Sequence, residues 1–163
     1  MKDDSQLAPT TENALALGWR GAQWSMGGGD YRTLVWYSAT PAKPSKAEVD
    51  AVVAQLQGAP SEDTLQIIST ATPSINAAYR IDPNQAQSIS SIAANISATG
   101  KFPSGSASRR YADASGTLHI FSTTNFTNFA TAVAQYLEAM QDGLAAIRSG
   151  SAPIWPTQPV TIP

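Results

Sequence analysis

The sequence predicts an α+β fold, and two periodicities carry that prediction. Aromatic and β-branched runs at 31–38 and 117–122 alternate as strands do. Apolar residues at 45–57, 83–99 and 125–148 recur every three to four positions, as on one face of a helix. In chain order the expectation is an N-terminal aromatic β-hairpin, a helical middle, a second β-hairpin, a long amphipathic helix and an extended Pro-rich C-terminal tail. Two domains are expected: 1–58, the first hairpin plus a capped helix, and 59–163, a helical and hairpin domain ending in the extended tail 151–163.

Residues 1–13 are polar and are expected to be loose unless a partner orders them. From Ala14 to Ser38 the pattern reads as β. Trp19 and Trp24 precede the glycine run Gly27-Gly28-Gly29, and Tyr31 to Ser38 has strand composition. Ser45-Lys46-Ala47-Glu48 is a capping box, in which the serine hydroxyl and the glutamate carboxylate satisfy each other's backbone N–H. Val49, Val52, Val53 and Leu56 then share a face, and Gly58 suits a left-handed stop. Ser61 to Thr72 fits either a short helix or a strand, and Ser74 to Ile81 reads as a brief helix.

Asp82-Pro83 reads as an N-cap followed by proline in the first turn, where a missing N–H costs nothing. Ile89, Ile92, Ala93 and Ile96 line that helix up to Gly100, and 100–108 is a loop by composition. The second hairpin runs from Arg109 to Asp113, turns at Ala114-Ser115-Gly116 and returns over Thr117 to Ser122. Leu118 and Ile120 share one of its faces, His119 and Phe121 the other. The strongest periodicity covers Asn125 to Arg148, with Thr123 or Thr124 as cap and Phe126, Phe129, Ala130, Val133, Tyr136, Leu137, Met140, Leu144 and Ile147 on one stripe. Four prolines forbid a helix after Ser151. The apolar Ile154, Trp155, Val160 and Ile162 predict that the tail docks as a strand or polyproline segment.

Composition narrows the function classes. Ten basic and 12 acidic residues leave a net charge of −2, without the basic surplus that phosphate binding needs, so no nucleic-acid partner is expected. Leu, Ile, Val and Phe together number only 30 of 163, against 27 alanines, which implies a lean core suited to completing its burial on a partner chain. With no cysteine, thiol chemistry and Cys-ligated metals are excluded. No signal-type apolar segment opens the chain and no run is long enough to span a membrane, so a soluble protein made in the cytoplasm, with no membrane partner, is expected.

The search for chemistry yields little. His119 is the sole histidine, and no motif identifies a nucleophile or orienting carboxylate for it. One histidine cannot supply the ligand set of a zinc or non-haem iron site, so neither cofactor nor metal is expected. Gly27-Gly28-Gly29 lacks the Lys-Ser/Thr ending of a phosphate loop, and Arg109 and Arg110 point to opposite faces of their strand. The acidic pairs Asp3-Asp4 and Glu62-Asp63 lie in polar contexts. The remaining candidates are the aromatic residues Trp19, Trp24, Tyr31, Trp36 and Tyr37, with Trp155 in the tail. Such rings can stack on sugars, anchor a protein interface or form a local core in place of scarce Leu and Val.

Two stretches carry a resemblance. Tyr31-Arg32-Thr33-Leu34-Val35-Trp36 followed by Pro44-Ser45-Lys46-Ala47-Glu48-Val49 is one. Tyr111-Ala112-Asp113-Ala114-Ser115-Gly116-Thr117-Leu118-His119-Ile120-Phe121 with Phe126, the long helix and Trp155-Pro156 is the other. Together they resemble small uncharacterised proteins of the tail and tail-fibre gene region of tailed phages. That resemblance implies a non-enzymatic virion protein of the tail or tail fibre, made in the host cytoplasm and acting through protein–protein assembly with other phage structural proteins or with itself. It also leaves open a fibre-assembly chaperone absent from the mature particle. It supplies no catalytic residues. The alternative is a carbohydrate or host-surface binding module built on the aromatic hairpin.

Overall fold

The computed structural model describes residues 8–163 and shows an α+β chain. It divides into two compact units, one running to Ala59 and adding Ala139–Trp155, the other comprising Pro60–Glu138 and Pro156–Pro163. The long C-terminal helix therefore gives its first part to the second unit and its last part to the first.

In the first unit the segment expected to be β from Ala14 onward begins as a helix, α1 (Thr11–Gly18). The Thr10 hydroxyl accepts from the Asn13 N–H, and Ala14, Leu15 and Leu17 turn inward. Ala and Leu favour helix strongly, and packing settles the choice. Of the expected N-terminal loose stretch, residues 1–7 lie outside the described residues.

The aromatic hairpin exists but is short. β1 (Trp24–Ser25) pairs antiparallel with β2 (Val35–Trp36), placing Trp24 opposite Trp36. Tyr31–Thr33, expected in the strand, forms a 3₁₀ turn instead. The Asp30 carboxylate accepts from the Arg32 N–H, and the Thr33 hydroxyl donates to the Asp30 carbonyl, so local polar bonds displace the ladder.

α2 (Lys46–Gln57) opens with the expected capping box on Ser45 and Glu48. It buries Val49 and Leu56, while Val52 and Val53 pack partly. Gly58 ends it with φ −84°, a right-handed conformation rather than the left-handed stop expected. These elements close over a core of Leu15, Leu34, Val49, Leu56, Leu144 and Ile147.

The second unit is built on a three-stranded sheet. β3 (Thr64–Ser69) resolves the open choice at 61–72 in favour of a strand, with Leu65, Ile67 and Ser69 facing in. β4 (Ala77–Arg80) pairs antiparallel with it, where a brief helix was expected. Pairing with β3, which sets the buried Tyr79 opposite the buried Leu65, outweighs local helix propensity there. α3 (Pro83–Thr99) starts on the Asp82 cap and ends at Gly100 with φ 72°, both as expected.

β5 (Ser108–Ala112) and β6 (Leu118–Ser122) form the second hairpin in the expected register, Tyr111 opposite His119. α4 (Thr123–Arg148) follows without a linker. Its first turn is capped by Ser122, whose hydroxyl accepts from the Asn125 N–H, rather than by either threonine, because β6 delivers Ser122 directly to the helix start. Phe121, Phe126 and Phe129 meet Tyr79 and Tyr111 in one aromatic cluster with ring centroids 4.8–6.3 Å apart. The tail docks as predicted through β7 (Val160–Ile162), which pairs parallel with β3. Ile154 departs from the expectation and is 87% exposed.

Candidate functional site

Five of the six aromatic candidates are half-buried. Trp19 follows α1 as its C-cap, and Trp19, Trp24, Tyr31, Trp36 and Trp155 all lie against the core of the first unit. Three of the five also have their side-chain polar atom engaged. Trp36 Nε1 donates to the Pro41 carbonyl at 3.1 Å, Trp155 Nε1 to the Gln55 carbonyl at 3.1 Å, and the Tyr31 hydroxyl to the Pro44 carbonyl. Buried indole and phenol groups need such partners, and backbone carbonyls supply them. Tyr37 is the exception, 63% exposed with its hydroxyl 3.0 Å from Ser25 Oγ.

The densest polar constellation lies elsewhere, at the turn of the second hairpin. Asp113 Oδ1 accepts from the Ser115 N–H at 2.8 Å, the Ser115 hydroxyl at 2.6 Å and the Thr117 N–H at 2.9 Å. Asp113 Oδ2 faces His119 Nε2 at 3.0 Å. His119 therefore has the carboxylate partner that no sequence motif pointed to. The signal was available in the strand alternation. Asp113 N–H bonds the Thr117 carbonyl across the turn, so Tyr111, Asp113, Thr117, His119 and Phe121 share one face.

Electrostatics follow from these contacts. The Ser115 hydroxyl first, then His119, hold the Asp113 carboxyl well below the usual carboxylate range, with the Thr117 and Ser115 amides adding to the effect and desolvation opposing it. Burial, with the Asp113 charge and Tyr111 nearby, pushes the Tyr79 phenol up, and its hydroxyl donates to the Ile75 carbonyl at 2.7 Å. Burial also raises Tyr111, against the opposing influence of Arg109. Beside the turn a groove of about 390 Å³ is lined by Arg80, Gln85, Tyr111, Asp113, Ser115 and Gly116 among others.

The order of the groups decides what they can do. Activation of a serine needs the imidazole between hydroxyl and carboxylate, so that the ring can take the proton. Here the carboxylate stands between Ser115 and His119, and the other ring nitrogen, Nδ1, lies 3.4 Å from the Ser74 carbonyl. This arrangement fastens the turn and fixes the imidazole edge-on to Tyr79.

The opposite face of the same hairpin is apolar and bare. Leu118 is 58% exposed and Ile120 44%, with Ala112 and Arg110 as their cross-strand neighbours. β5 and β6 form a two-stranded ribbon, so each keeps one edge without a ladder partner among the described residues. Comparison with protein-family models, curated proteins and solved structures returned no match to this chain.

Proposed function

We propose that this chain is a non-enzymatic structural protein of a tailed phage, associated with the tail or its fibres and working by contact with other protein chains. The sequence resemblance supplies the phage setting. Contact as the mode of action rests on one observation, the outer face of the second hairpin. Leu118 and Ile120 project from a ribbon whose turn is fastened by Asp113 and His119. A rigid ribbon with an apolar face and open edges is suited to burial against another chain, where each exposed side chain gives up water contact.

The test is complementation of a phage deleted for this gene. Leu118→Ser with Ile120→Ser keeps the chain folded, since both side chains already face solvent, and should lower particle yield at least tenfold. Peptides of the wild-type chain in sedimented virions would place it in the particle, and their absence with complementation intact would indicate a chaperone. Full complementation by the folded double variant would remove this face from the proposal.

A further inference from the structure

In the second unit, α3 and the first part of α4 flank a groove of about 510 Å³. Its floor is apolar, made by Ile89, Ala93, Ala130 and Val133, and its rims are the exposed Ser90, Ala94 and Ser97 on α3 and Thr127, Thr131 and Ala134 on α4. The unusual feature is electrical. Pro83–Thr99 contains no Asp, Glu, Lys or Arg, and neither does α4 until Glu138, although the chain has 22 charged residues. Helix faces meant for solvent ordinarily carry charge. From this groove we infer that the α3–α4 face is where a second copy of this chain docks, face to face about a two-fold axis.

Charge selects that occupant. A two-fold contact sets a surface against its own image, so any net charge on it repels itself, whereas a neutral face does not. An acidic or basic partner would find no counter-charge here. Short rim side chains let the facing helices approach closely enough for ridges to enter the grooves. Size sets the strength. At about 1.5 Å per residue and about 10 Å per helix, the two helices present a footprint of about 500 Å² per copy. About 1,000 Å² in total falls in the range of weak, reversible interfaces. The inference does not depend on the phage setting or on the hairpin face.

Sedimentation velocity from about 10 μM to about 500 μM tests it, a range that spans weak dissociation constants. The wild-type mass should rise toward two chains with concentration. Ala94→Arg on one rim and Thr131→Arg on the other should each weaken association more than tenfold while leaving the circular dichroism spectrum unchanged. Gln57→Arg, in the first unit, should leave association as in the wild type. A wild-type chain that stays monomeric throughout, including one that binds only other proteins, would overturn the proposal. So would dimers that survive both rim variants.

Discussion

The indole of Trp155 lies against Gly143 of α4 so closely that a Cβ on that glycine would sit 2.5 Å from Trp155 Cζ3. Glycine in a helix interior costs about 1 kcal/mol relative to alanine, so its presence here reflects the ring and not the helix. The same ring lies within ordinary contact of where a Cβ on Gly58 would be, 3.6 Å from Cδ1. Gly143→Ala is therefore expected to destabilise by about 1 kcal/mol, because an overpacking cost of about 1–3 kcal/mol exceeds the helix gain. In a Trp155→Ala background the sign should reverse, and urea denaturation of the four variants measures both signs.

Phe129 is fully buried at the centre of the aromatic cluster, 4.8 Å from Tyr79 and 5.5 Å from Phe121 between ring centroids. Phe129→Ala should cost about 3–5 kcal/mol, the range for removing a buried aromatic and leaving a cavity. A loss below about 1 kcal/mol in a chemical melt would mean that the cluster closes over the gap.

How much of this was legible depended on whether local chemistry or distant packing decides an element. The Ser45 box, the Asp82-Pro83 start, the Asp113–Gly116 turn and the α4 stripe are specified by residues three or four apart, and all four appear as expected. β4 was misread because its strand character comes from pairing with β3, to which Leu65 contributes the partner of Tyr79. α1 was misread because the tryptophans that follow it suggested strand composition, while its own Ala and Leu residues pack inward. The Asp113–His119 pair was missed for a narrower reason. The face that His119 shares with Phe121 continues to Asp113 only through the Asp113–Thr117 pairing across the turn, which no local motif marks.

The aromatic hairpin separates packing from recognition within two adjacent residues. Trp36 packs on the core and donates to the Pro41 carbonyl, whereas Tyr37 is mostly exposed. Trp36→Ala is expected to cost about 2–3 kcal/mol, reduced from the fully buried value because the ring is only half-buried. Tyr37→Ala should fall within about 0.5 kcal/mol of the wild type, as exposed substitutions do. A glycan array run with both variants addresses the carbohydrate alternative. Binding lost with Tyr37→Ala at unchanged stability would support it, and no glycan signal for the wild type would leave the hairpin a packing element.

Acid should loosen the second hairpin through Asp113. Its carboxylate accepts three hydrogen bonds and faces His119, and these contacts hold its folded pKa below the unfolded value of about 4. A depressed carboxylate contributes stability that is fully present above the unfolded pKa and is lost as pH falls through the folded one, because the unfolded chain then binds the proton more readily. Stability should accordingly hold near neutral pH and begin to fall below about pH 4. Glu48, lowered by its bonds to the Ser45 N–H and hydroxyl, adds to the same slope with the same sign. Asp113→Asn keeps an oxygen for the Ser115 and Thr117 amides but cannot titrate. Unfolding free energy measured from neutral pH down to about pH 2 should thus fall less steeply in Asp113→Asn than in the wild type, and least in the double variant with Glu48→Gln. Parallel acid profiles for wild type and Asp113→Asn would mean that the turn contacts persist in the unfolded chain, or that Asp113 does not hold the hairpin.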